Sequence, residues 1–141
     1  MKKTSYPHDW PDIDTAIYDR SVKLFRSVKK LLGVKIKLHA ESQPEQGDIF
    51  LFNHFSRFET FIPQYLIYER TGAYSCAIAA DEFFAEDTAL ARYLSNVGVF
   101  PHDHPRLFPM LAAQILRGRK VIVFPEGGMV KDRQVMDRHG Q

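Results

Sequence analysis

Ile49-Phe50-Leu51-Phe52-Asn53-His54-Phe55-Ser56-Arg57-Phe58-Glu59 begins as an unbroken apolar run of strand length and ends in a loop carrying an imidazole and a carboxylate five positions apart. The turn formers Pro44 to Gly47 precede it, so the apolar run reads as a buried strand. The same layout recurs about seventy residues later. Val121-Ile122-Val123-Phe124 is again apolar and β-branched, and Pro125-Glu126-Gly127-Gly128 stops it with a carboxylate at its tip. Loops at strand ends are where α/β proteins place their chemistry.

Working outward, residues 12–32 read as a helix, because Ile13, Ile17, Leu24, Phe25, Val28, Leu31 and Leu32 recur at helical spacing. Asp12 and Asp14 suit its start and Gly33 its stop. Residues 34–39 alternate strictly and predict a half-exposed strand. A helix is expected over 59–70, with Pro63 near its first turn where proline is tolerated. Strands near 74–79 and 97–100 and helices over 86–94 and 106–117 complete the pattern. Strands alternating with helices argue for an α/β fold, a mixed, partly parallel sheet flanked by helices. The division expected is an amphipathic helical region, 1–33, followed by a core, 34–141.

At 141 residues, 45% hydrophobic and 26% charged, the chain is long enough to bury a core. A net charge of +2 with no basic stripe interleaved with exposed aromatics gives no reason to expect a nucleic-acid partner. One cysteine, Cys76, excludes an internal disulfide, and its small-residue strand setting makes it a buried inert thiol. No apolar stretch reaches the ~18 residues of a membrane span, and no apolar leader follows Lys2 and Lys3. The expected location is cytoplasmic, attached peripherally to the cytosolic face of a membrane. Residues 131–141 are highly charged and lack the periodicity of a closing element, which predicts the N-terminal part of a longer protein or a truncated reading frame.

At the two strand-end segments the chain resembles the glycerolipid acyltransferases. The first motif of that family is Asn-His, four residues, then Asp, and its third is Phe-Pro-Glu-Gly. Here Asn53, His54 and Glu59 match the first with Glu in place of Asp, and Phe124 to Gly127 match the third in full. The second, Gly-x-x-Phe followed by Arg, is partial: Gly98-Val99-Phe100 is followed by Arg106 after an insertion. Gly128-Met129-Val130 stands where the family usually continues Thr-Arg-Ser, and the chain ends before the position of a fourth motif. The resemblance spans about residues 35–131. It implies the family's acyltransferase fold, incomplete at the C-terminus.

It also implies transfer of an acyl group from a thioester, on coenzyme A or acyl carrier protein, to 1-acylglycerol 3-phosphate or a related lysophospholipid. The product would be phosphatidic acid, at a membrane surface and without a cofactor or metal. An acceptor hydroxyl is a poor nucleophile at neutral pH, so a neutral imidazole must take its proton as it attacks the carbonyl. His54 is the candidate base, and Glu59 the carboxylate that would fix its tautomer and stabilise the imidazolium. Arg57, Arg106, Glu126, Gly127 and Gly128 are the candidate acceptor contacts, the glycines allowing backbone N–H groups to approach an anion.

Two other functions stand beside this one. The chain could be a non-catalytic lipid-binding remnant of the same fold. His102-Asp103-His104, with His54 or Asp81, could instead ligate a metal, the extended backbone beside Pro101 and Pro105 letting alternate residues share it. The first helix also has two readings. Lys23, Arg26, Lys29 and Lys30 lie between its apolar positions, which suits either a core helix with a solvated face or a helix lying in a membrane interface.

Overall fold

The computed structural model of the chain describes residues 6–7, 9–37, 44–52 and 61–125. Helix α1 (Thr15–Leu31) leads to a 3₁₀ turn (Pro44–Gln46), strand β1 (Ile49–Leu51), α2 (Ile62–Thr71) and β2 (Ser75–Ala79). A second 3₁₀ turn (Asp81–Phe84), α3 (Ala89–Asn96), β3 (Val99–Pro101), α4 (Leu107–Leu116) and β4 (Lys120–Val123) follow. The α/β architecture is present, and the parallel pairing extends to all four strands among the described residues, in the order β1-β4-β2-β3.

The chain steps in one direction from β1 to β2 to β3 and then returns to β4. Right-handed crossovers therefore set α2 and α3 on one face of the sheet and α4 on the other. Each connecting helix runs back against the strands, so α2, α3 and α4 all begin at the edge where the strands end. The two central strands carry the innermost residues, with Cys76, Ala77, Val121 and Ile122 all buried.

The strand expected over 34–39 is not formed in its described part, residues 34–37, and residues 38–39 lie outside the described residues. The cause is local. Gly33, at φ +63°, donates its N–H to the Lys30 carbonyl, and Val34 donates to Lys29 at 3.0 Å. This closing loop satisfies the last carbonyls of α1 and commits the backbone that a strand would need. At the other end of α1, Asp14 caps the helix by accepting from the Ile17 N–H at 3.0 Å.

The core face of α1 is also not the set of residues its apolar spacing suggests. Tyr18 and Val22 are the buried positions, and Phe25 packs on Tyr65 of α2 with ring centroids 4.5 Å apart. Leu24, Val28, Leu31 and Leu32 point outward. Tyr18, a polar-tipped side chain, anchors a buried network. Its hydroxyl donates to the Gln64 carbonyl at 3.3 Å and lies 3.1 Å from Ser75 Oγ. Gln64 Nε2 donates to the carbonyls of Ser75 and Val97. Burial raises the Tyr18 phenol far above its ordinary range, so it acts only as a neutral hydrogen-bonding group.

Helix α1 climbs the sheet. Its start is tied to the edge where strands begin, since the Asp14 N–H donates to Asn96, at the end of α3, at 2.8 Å. Asp12 accepts from Gln114 and Arg117 and pairs with Arg119, just before β4. The second half of α1 lies beside the beginning of α2, where Lys29 Nζ sits 5.2 Å from the Tyr65 ring centroid.

Candidate functional site

Strands β1 and β4 are adjacent and parallel, with Leu51 opposite Val123. The Phe52 N–H donates to the Val123 carbonyl at 3.0 Å, extending the ladder one residue past β1. The Phe52 and Phe124 rings follow side by side, 6.4 Å between centroids. Residues 53 and 125 thus leave the same edge of the sheet from neighbouring strands. That is the relation needed for two loops to build one site, although their sequences are about seventy residues apart. His54, Arg57, Glu59, Glu126, Gly127 and Gly128 lie outside the described residues.

Arg106 is described. It sits immediately before α4, half-exposed, with Nη1 3.7 Å from Asp9 Oδ1. Because α4 runs against the strands, this guanidinium is at the edge from which the two motif loops depart. A strand separates its own strand, β3, from β4.

The two histidines of the 102–104 segment have separate fates. The His102 N–H donates to the Ala79 carbonyl at 3.0 Å, and its ring reaches out beside Asp81, Nδ1 to Oδ1 3.8 Å. His104 is turned inward and only 5% exposed. Its Nδ1 accepts from the Arg106 N–H at 3.1 Å, which leaves the proton on Nε2 to be donated to the Pro7 carbonyl at 3.2 Å. Tyr6 and Trp10 flank the ring at 5.5 and 5.8 Å. Both nitrogens are engaged, so His104 pins the N-terminal segment instead of offering a lone pair to a metal. Among the described residues no group of three or more His, Cys, Asp or Glu is placed to hold a metal ion.

Cys76 is fully buried, and its thiol is pushed up to about 12 chiefly by burial, which the nearby Arg119 charge only partly opposes. A thiol in that state supplies no thiolate at neutral pH. An open depression of about 280 Å³ lies between the second 3₁₀ turn and α3, lined by Glu82, Phe83, Ala85, Glu86, Thr88 and Leu90. It contains none of the candidate site residues, and its two carboxylates oppose a phosphate.

Sequence reasoning placed Asp12 only at a helix start and missed Gln64, two polar side chains that join separate elements. Burial alone would raise the Asp12 carboxyl. Hydrogen bonds from Arg119, the Ile13 N–H and Gln114, with the Arg119 charge, together hold it below its ordinary value. Its side-chain partners Gln114, Arg117 and Arg119 are more than a hundred residues away, and no local pattern could mark that role. Comparison with protein-family models, with curated proteins and with solved structures gives no match for this chain.

Proposed function

We propose that the chain is an O-acyltransferase core that moves a fatty acyl group from an acyl thioester to the hydroxyl of 1-acylglycerol 3-phosphate or a related lysophospholipid. The observation that carries this reading is the adjacency of the ends of β1 and β4, from which the Asn-His-x4-Glu and Phe-Pro-Glu-Gly segments depart together. An all-parallel sheet with its connecting helices beginning at that edge is also the architecture in which such a pair of loops is functional. In finer detail, the fold proposed is that of the glycerolipid acyltransferases.

His54 takes the acceptor proton as the oxygen attacks the thioester carbonyl, and Glu59 holds the imidazole and stabilises its positive form. Collapse of the tetrahedral adduct breaks the carbon–sulfur bond, and the proton on His54 passes to the departing thiolate. The products are an ester and a free thiol, in balance with the reactants. No serine or cysteine nucleophile is needed, in keeping with the inert setting of Cys76. Gly127 and Gly128 let the backbone approach the acceptor, Glu126 accepts from a glycerol hydroxyl, and Arg106 and Arg57 supply charge for the phosphate.

The test is acyl transfer from acyl-CoA and from acyl carrier protein to lysophosphatidic acid by the full chain and its variants. His54→Ala should lower turnover by roughly 10² to 10⁴ while the fold is retained. Glu59→Gln should be severe and Glu59→Asp mild. Arg106→Ala should raise the acceptor KM far more than the donor KM, by the loss of a charge-assisted hydrogen bond of about 1.5–3 kcal/mol. Near-normal turnover by folded His54→Ala would sink the assignment. Lipid binding without any turnover by the unaltered chain would favour the non-catalytic remnant.

A further inference from the structure

From residue 20 to residue 37 the chain carries Arg20, Lys23, Arg26, Lys29, Lys30, Lys35 and Lys37, and no Asp or Glu at all. The structure divides this set. Arg26 pairs with Glu69 of α2, and Lys29 lies over the Tyr65 ring, so these two belong to the packing of α1 on α2. Arg20, Lys23, Lys30, Lys35 and Lys37 remain exposed on the outer side. Among them stand the apolar side chains that do not enter the core, Leu24, Val28, Leu31 and Leu32, with Leu31 86% exposed. An exposed leucine by itself calls for no explanation, but four apolar side chains at helical spacing with cations between them make a continuous amphipathic surface.

We propose that this outer face of α1, continued by residues 32–37, docks the protein on an anionic lipid bilayer. The leucines enter the boundary between headgroups and acyl chains while the lysines extend their stems to reach lipid phosphates. Charge complementarity selects the occupant. Five exposed cations outnumber the one nearby acid, Asp19, which is engaged by the Tyr68 and Tyr74 hydroxyls, so the face repels a second copy of itself and attracts an anionic surface. Aliphatic side chains select lipid over nucleic acid, since single strands are held by aromatic platforms and Phe25, the aromatic residue of this stretch, is turned inward onto Tyr65.

The direction of α1 gives the docking a consequence. Its second half lies beside the start of α2, at the sheet edge from which the loops after β1 and β4 leave. A bilayer held by Leu31 and Leu32 is therefore on the side of the molecule where a membrane-borne acceptor would present its hydroxyl. The docking rests on α1 alone and stands whether or not the acyl-transfer reading does, because it is measured without substrate.

The experiment is sedimentation of the full chain with vesicles of phosphatidylcholine, alone or with phosphatidylglycerol, at low and high salt. Binding should require the anionic lipid and should weaken steeply between 0.05 and 0.5 M salt, roughly the range over which the Debye length contracts to a few Å. Joint Lys23→Glu, Lys30→Glu and Lys35→Glu substitution should reduce partitioning at least about a hundredfold, given roughly fivefold for each basic residue lost. Leu31→Ser with Leu32→Ser should reduce it about tenfold or more at unchanged charge. All five positions are exposed, and unchanged far-ultraviolet circular dichroism checks the fold. No binding to anionic vesicles overturns the proposal, as does binding indifferent to salt and charge. If charge reversal abolishes binding and the serine pair leaves it intact, the surface is a polyanion site; displacement by single-stranded RNA would identify it.

Discussion

At one side of the sheet β3 is closed over by Trp10 with Tyr6 and Pro7 beside it, while at the other β1 meets no further strand among the described residues, and its Ile49 and Leu51 are 58% and 69% exposed. On the β3 side Trp10 donates its indole N–H to the outward-facing Val99 carbonyl at 3.2 Å. Its ring meets Phe84 and Phe100, and His104 pins the same segment from the loop. Edge strands expose unpaired backbone groups that invite wrong pairing, and the two edges meet this liability differently. One is covered by side chains drawn from the far end of the sequence. The other, equally short, is flanked by the charged side chains of Glu45, Asp48 and Lys120. Among the described residues, the strand that leads into the His54 segment is the one held from a single side, and strands so held open more readily.

Removing the cover should break the comparison first. Trp10→Ala deletes the aromatic contacts with Tyr6, Phe84, Phe100 and His104 and leaves the Val99 carbonyl without its donor. A loss of about 3 kcal/mol is expected, the low end for a large aromatic because the ring is only partly buried. Urea unfolding measures it, and hydrogen exchange along β3 should then approach that of β1. A variant as stable as the parent would mean that the Trp10 contacts do not hold that edge.

Gly98→Ala tests the same side through the backbone. Gly98 has φ +84°, and an added Cβ would lie 2.8 Å from Ile13 Cγ1 and 3.3 Å from the Ser75 carbonyl. Left-handed strain and crowding together should cost about 2 kcal/mol. In an Ile13→Ala background, which lacks both Cγ1 and Cδ1, the same substitution should cost less, since the two closest contacts are gone. An equal cost in both backgrounds would leave the effect to the left-handed backbone and the Ser75 carbonyl.

Much of this contrast could be read in the sequence and part could not. The apolar runs at 49–52 and 121–124, the stopping glycines and the alternation of elements announce strands and helices within a few residues of their observed bounds. The adjacency of β1 and β4 came only with the fold, because a shared layout of two segments does not say which strands pair. The covering of β3 was not legible, because Trp10, Pro7 and His104 meet across about ninety residues and each alone resembles an ordinary loop residue. Residues 34–37 misled because alternation marks a strand only where a partner's backbone is free to pair. Here the end of α1 claims the N–H groups of Gly33 and Val34. Leucines of α1 misled for a related reason, since periodicity shows that a helix has an apolar stripe without showing which neighbour receives it.

A smaller effect belongs to Asp12, which joins the start of α1 to the turn before β4. Its carboxyl is held below its ordinary value, so its contribution is fully present above the unfolded value and fades as pH falls through the lower folded one. Asp12→Asn should cost about 1 kcal/mol at neutral pH, a modest figure because the carboxylate is half-exposed and screened. The gap between parent and variant should stay constant above about pH 5 and close in the acid range. A gap that persists unchanged below pH 3 would make the contact one of shape and not of charge.

The smallest effect expected is on the open edge, and a matched pair sharpens it. Leu51→Thr changes a side chain that already stands mostly in water, on a strand held from one side, and should alter stability by no more than about 0.5 kcal/mol. Val99→Thr makes a similar chemical change on β3, where the side chain is fully buried, and should cost about 1–3 kcal/mol for an unpaired hydroxyl. Urea midpoints at equal slope compare the two directly. Equal losses would mean that β1 is covered in solution by something beyond the described residues, and the difference between the edges would then be one of which segment covers each. A large loss at Val99 with almost none at Leu51 would locate the fixed part of the sheet under the N-terminal segment and leave the strand before His54 as its most yielding member.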